Sequence, residues 1–110
     1  MPSRSPITTH VLDTARGRPC AGLAVVLEFR RLAGWSTLAS GTTDADGRVE
    51  GLLPPHRALE PGSYRLTFDT APLGGFWPEV AVAFTVTEPS QHHHVPLLLS
   101  PFGYSTYRGS

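Results

Sequence analysis

Lysine is absent from this 110-residue chain, so all nine of its basic side chains are arginine. The absence excludes Schiff-base chemistry on a side-chain amine and a phosphate-binding loop built around a lysine. Cysteine is almost absent too: Cys20 stands alone, which rules out an intrachain disulfide framework. No charge of either sign dominates, because nine acidic residues balance the nine Arg. Without a net field there is little to draw in a phosphate backbone or an anionic bilayer, so no nucleic acid and no membrane is expected as a partner. No apolar run approaches the roughly 20 residues that a membrane-spanning helix needs. The opening MPSRSPITTHV lacks an apolar stretch followed by a small-residue cleavage site, and Arg108-Gly109-Ser110 is no peroxisomal address, so a soluble cytoplasmic protein is expected.

What is present is β-forming sequence cut by turn residues. A chain of this length buries roughly 60–70% of its unfolded surface, enough for one core, so residues 1–110 are read as a single domain. No window keeps the i, i+3, i+4, i+7 spacing of a helix, while short apolar runs are separated by clusters drawn from 11 Gly and 11 Pro. The fold class is therefore all-β, a sandwich of two antiparallel sheets with seven or eight strands and little or no helix. Strands are expected at Ile7–Asp13, Leu23–Leu32, Trp35–Gly41, Val49–Leu52, Ser63–Asp69, Glu79–Thr87, His92–Leu99 and Tyr104–Tyr107. Asp44-Ala45-Asp46-Gly47, Leu53-Pro54-Pro55 and Glu60-Pro61-Gly62 supply the turn chemistry between them. Alternation puts Tyr64, Leu66 and Phe68 on a core face, and Val80, Val82, Phe84 and Val86 on another. It leaves Ala81, Ala83 and Thr85 on an outer face small enough to admit a neighbouring sheet or subunit.

Few residues carry chemistry. His92-His93-His94 invites a metal, but a strand sends His92 and His94 to one face and His93 to the other, and neither Cys20 nor any carboxylate stands at a zinc-motif spacing. No metal site and no cofactor is expected. The plain reading of His94 is a hydrogen-bonded histidine at the edge of the core. Read alone, His10 is a structural strand histidine and Arg48 a solvated residue after a turn. The Asp-Gly turn lacks the further ligands and closing Glu of a calcium loop. The C-terminus is less ordinary, since Tyr104-Ser105-Thr106-Tyr107-Arg108-Gly109-Ser110 keeps aromatic and hydroxyl character to the last residue. Chain ends usually fray; this one reads as packed into something.

Three stretches together resemble the transthyretin-related family, and within it the enzymatic branch of 5-hydroxyisourate hydrolases. They are Thr9-His10-Val11-Leu12-Asp13-Thr14, Thr43-Asp44-Ala45-Asp46-Gly47-Arg48, and the closing run from His94-Val95-Pro96-Leu97-Leu98-Leu99 through Tyr107-Arg108-Gly109-Ser110. Pro61-Gly62-Ser63-Tyr64-Arg65-Leu66 and Phe76-Trp77-Pro78-Glu79-Val80 are similar to family stretches as well. The resemblance implies a transthyretin-like β-sandwich that assembles as a homotetramer, a dimer of dimers with its sites in a shared channel. It implies hydrolysis of 5-hydroxyisourate to 2-oxo-4-hydroxy-4-carboxy-5-ureidoimidazoline in urate breakdown, without metal or cofactor. Carried over by motif, the catalytic set is His10, Arg48, His94 and Ser110, with Tyr107, Arg108 and Gly109 as substrate-binding residues. In the implied chemistry His10 and His94 together move the water proton, while Arg48 orients the substrate and steadies developing negative charge. Ser110 and Arg108 hold substrate or water, and no covalent nucleophile is required.

The chain departs from the family where a longer segment with a short helix usually stands, since only Ala71-Pro72-Leu73-Gly74-Gly75-Phe76-Trp77 links the strand ending at Thr70 to Pro78. Pro72 and the Gly pair disfavour a helix there. Cys20 replaces a more usual Ala. The resemblance leaves a small-ligand carrier of transthyretin type as an alternative, and the composition alone permits a β-sandwich adhesion or carbohydrate-accessory module.

Overall fold

From Ile7 to Asp13 the side chains alternate as a half-buried strand should, with Ile7, Thr9 and Val11 buried and Thr8 and His10 on the opposite face. The computed structural model describes residues 4–110. Its strands are β1 (Ile7–Asp13), β2 (Arg18–Pro19), β3 (Ala24–Arg31), β4 (Gly34–Thr42), β5 (Gly62–Asp69), β6 (Glu79–Val86), β7 (His93–Leu99) and β8 (Tyr104–Thr106). They form two four-stranded sheets in the orders β2-β1-β7-β8 and β4-β3-β5-β6. The two sheets stack as a β-sandwich. Ile7, Val11 and Leu97 of one sheet face Val25, Leu27, Leu66, Phe68 and Val80 of the other, each 0–1% exposed. Burying such a side chain stabilises the fold by about 1.5–3 kcal/mol. The shortest dimension is 20 Å, as two sheets packed about 10 Å apart require.

The sheets are not both antiparallel. β1 and β7 pair in parallel, from Ile7 opposite His93 to Asp13 opposite Leu99. No hairpin joins these strands: the chain leaves after β2, builds the whole second sheet and returns, so no turn forces them to run in opposite directions. The strand expected at Val49–Leu52 does not form either. Gly51 adopts a positive φ of 66° and turns the chain ahead of Pro54-Pro55, so Val49, Leu52 and Leu53 plug the core as a loop. Val49 packs its Cγ1 2.5 Å from where a Cβ on Gly41 would stand. The short β2 was not anticipated.

The shortened link after β5 holds one 3-10 turn, Ala71–Leu73, with Pro72 inside and Gly74 at φ 71° closing it. Among the described residues there is no α-helix, and no helix is long and apolar enough to cross a membrane. Trp77 stacks edge-on to Tyr104 at 5.3 Å, and the Phe76 N–H donates to the Pro101 carbonyl at 2.7 Å. The link therefore packs beside β8, away from His94. On β6, Ala81, Ala83 and Thr85 do lie exposed on the outer face.

Candidate active site

The Asp44–Arg48 turn is built to set Arg48 beside β1. Asp44 Oδ1 accepts the N–H groups of Asp46 at 2.9 Å and Arg48 at 3.0 Å, and the Asp44 N–H donates to the Arg48 carbonyl at 2.8 Å. Gly47 has a positive φ of 77°, and a Cβ there would collide with the Val11 carbonyl oxygen. Its own carbonyl accepts the Val11 N–H at 2.8 Å. The outcome is an isolated antiparallel bridge between His10 and Arg48. On the far side of β7 a second bridge joins His94 to Gly109, with the Gly109 N–H donating to the His94 carbonyl at 2.8 Å. Residues remote in sequence thus lie on adjacent backbone lines: Arg48, then β1 with His10 and Thr8, then β7 with His94, then the C-terminus.

On the outer face of this sheet lies an open cleft of about 540 Å³, whose walls include Arg4, Thr8, Arg48, His92, His94 and Ser110. Glu50 supplies an acidic wall group. The guanidinium of Arg48 makes no ion pair among the described residues, unlike Arg65, whose Nε and Nη2 donate to Glu28 at 2.9 and 3.0 Å. Burial first, and then the nearby Arg48, His10 and Arg4, push the His94 ring below the ordinary histidine range. These effects favour the neutral ring.

Of the seven residues singled out in the sequence, His94, Arg48 and Ser110 line the cleft together. His10 is half-buried, bridged to Arg48, and on the same strand face as Thr8, although it forms no part of the cleft wall. Gly109 packs against the His94 ring, with Cδ2 2.5 Å from a hypothetical Cβ. Tyr107 and Arg108 stand outside the cleft. Tyr107 is exposed, and Arg108 Nη2 donates to Gln91 Oε1 at 3.1 Å and the His92 carbonyl at 3.4 Å, tying the C-terminus to the start of β7. Cys20 is buried in the core with its thiol pushed up, first by burial. Among the described residues no group of three or more His, Cys, Asp or Glu is placed to hold a metal.

Sequence reading missed Thr8. Its Oγ1 lies 2.9 Å from His92 Nε2 and 2.8 Å from His94 Nδ1. Alternation places Thr8 on the face of His10, but only the parallel register, with Thr8 opposite His94, shows the contact. A smaller cleft of about 170 Å³ beside Leu73, Trp77 and Leu99 contains none of the expected residues.

The model of the HIUase/Transthyretin family matches residues 7–109. A 5-hydroxyisourate hydrolase of Salmonella dublin is 46% identical over 110 residues, covering 94% of this chain and 80% of that protein. The solved 5-hydroxyisourate hydrolase of Klebsiella pneumoniae superposes with a TM-score of 0.80 at 34% identity, covering 94% of this chain and 97% of that one. A sea bream transthyretin solved with thyroxine reaches 0.85 at 31% identity, with 96% and 95% covered. Backbone likeness alone does not separate the enzyme from the transthyretin. Matching in family model, sequence and backbone, the chain belongs to the HIUase/Transthyretin family.

Proposed function

We propose that this protein hydrolyses 5-hydroxyisourate in urate degradation, opening the ring to 2-oxo-4-hydroxy-4-carboxy-5-ureidoimidazoline in the cleft that holds His94, Arg48 and Ser110. The observation that carries the reading is the convergence of His94 and the unpaired Arg48 on one cleft. The 46% identity to a named hydrolase over most of both chains supports the same activity.

Ring opening adds water to a ring carbonyl and breaks the adjacent carbon–nitrogen bond. It needs a base for the water proton, a donor for the developing oxyanion and a proton for the leaving nitrogen. His10 and His94 supply the imidazoles of the site, and acid–base help from such a group contributes about 10²–10⁴-fold in rate. Arg48 stays cationic at every working pH and presents a planar fork of donors to ring carbonyls. Ser110, on the cleft wall, holds substrate or water. Arg108 and Tyr107 act at one remove, since Arg108 anchors the terminus that carries Gly109 and Ser110.

The working form in this reading is a homotetramer, a dimer of dimers. The site lies open on the outer face of a sheet, and Phe102, Tyr104 and Tyr107 are exposed beside the strand that ends it. Facing protomers would enclose the cleft and exclude bulk water. A cytoplasmic setting fits a cysteine that is buried and unpaired.

The test is to mix the protein with 5-hydroxyisourate freshly made by urate oxidation and follow its ultraviolet decay. Faster decay at catalytic protein concentration supports the hydrolase. Saturable binding with an unchanged decay rate would point to a carrier.

A further inference from the structure

Thr8 Oγ1 sits between two imidazoles, 2.9 Å from His92 Nε2 and 2.8 Å from His94 Nδ1, and the rings lie near parallel at 14° with centroids 6.3 Å apart. A hydroxyl has one proton to give. It therefore donates to one ring and accepts from the other, and the two histidines cannot choose their tautomers independently. Burial, followed by Arg4 at His92 and by Arg48 at His94, disfavours the charged form of both rings and so favours a single N–H on each.

The far nitrogen of His92 decides between the two arrangements. His92 Nδ1 is sealed from solvent with no hydrogen-bond partner. A hydrogen there would be an orphaned buried donor, which native structures avoid more strictly than an under-used acceptor. The hydrogen of His92 accordingly sits on Nε2 and points to Thr8, the Thr8 hydroxyl points to His94 Nδ1, and His94 carries its own hydrogen on Nε2. With Nδ1 turned to Thr8, Nε2 is the nitrogen left for the cleft that His94 lines.

We propose that Thr8 and His92 are positioning residues that hold His94 as a neutral Nε2–H donor, which makes His94 the electrophile of the reaction and leaves proton transfer to His10. The inference rests on the hydrolase reading and divides the labour within it. Water loses a proton to His10 as its oxygen bonds to the ring carbonyl carbon. The carbonyl oxygen takes up the electron pair and is held by the His94 Nε2–H and Arg48. As the carbonyl re-forms, the carbon–nitrogen bond breaks, and His10 returns its proton to the leaving nitrogen. His94 begins and ends neutral. A preset dipole aimed at a developing oxyanion loses little to reorganisation, which is the advantage of fixing the tautomer beforehand.

The first test needs no substrate. Long-range ¹H–¹⁵N correlation spectra of the wild-type imidazoles, assigned with His92→Gln and His94→Gln, are expected to show His94 and His92 each protonated on Nε2. A His94 protonated on Nδ1 overturns the proposal, whether or not the protein proves to be a hydrolase. The second test is Thr8→Val, which keeps the shape and removes the hydroxyl. Its kcat is expected to fall at least about tenfold with KM little changed, and its His94 signals to show both tautomers, while Thr8→Ser restores kcat and the single tautomer. A folded Thr8→Val protein with wild-type kcat and wild-type His94 signals would also overturn it.

Discussion

Gly109 lies backbone to backbone with His94, its N–H donating to the His94 carbonyl at 2.8 Å while the ring's Cδ2 fills the space that a Cβ would need. Gly109 thereby sets the position of a ring whose Nδ1 is held by Thr8. Gly109→Ala should move the ring or peel the terminus away. Displacing a reacting group by about 1 Å can cost about 10²-fold. We expect turnover to fall by about ten- to a hundredfold with a melting temperature within a degree or two of wild type. Full turnover in Gly109→Ala would show that the terminus does not set the His94 ring.

Asp44 is the corresponding device on the other side of the sheet. Asp44→Ala removes two hydrogen bonds to the Asp46 and Arg48 N–H groups, each worth about 1 kcal/mol. In a domain this small, a loss of that size lowers the melting temperature by several degrees. Because Arg48 is released from its place beside His10, kcat/KM should fall by more than this modest destabilisation alone would produce. Thermal melts and steady-state assays on the same preparation check both halves.

Stability should depend on pH through β7 and the residue before it. Burial is the first cause that lowers the proton affinity of His92, His93 and His94, with Arg108 adding to the effect at His93. The ionisable groups near His92 and His94 are Arg4, His10, Arg48, His93 and Arg108, with Glu50 on the wall of the same cleft. Below the ordinary histidine value of about 6.5, the unfolded chain takes up protons that the folded chain does not, so stability is complete above that pH and lost as the pH falls toward the lower folded values. Melts should be level from pH 8 down to about 6.5 and decline from there to pH 5. His93→Phe, which removes one of the three buried rings, should make that decline shallower.

Assembly should matter to turnover as well as to mass. The cleft is open in a single protomer, and the strand beside it carries exposed Tyr104. Sedimentation is expected to give a tetramer, and dilution into monomers should abolish activity. A verified monomer with full activity would remove the channel from the account.

Much of this was legible before the fold was known, for a physical reason. Alternation in Tyr64–Phe68 and Val80–Val86 fixes which side chains face inward, and that was enough to place β5, β6 and their share of the core. His10, Arg48 and His94 were singled out by resemblance to family motifs, since read alone each was an ordinary structural or solvated residue. Neighbours across a sheet are not local. The parallel pairing of β1 with β7, and so the contact of Thr8 with His92 and His94, depends on where the chain returns after the second sheet is built. The false strand at Val49–Leu52 has the same origin, since burial of Val49 and Leu52 reads alike whether they extend a strand or plug a core around Gly51.

The most direct measurement of the central claim is the rate of 5-hydroxyisourate ring opening by Arg48→Ala and by His94→Ala, each confirmed as folded by its melting curve. The account predicts that each loses at least about 10²-fold relative to wild type, the usual size of electrostatic and proton-handling contributions. Turnover near wild type in both variants would contradict it.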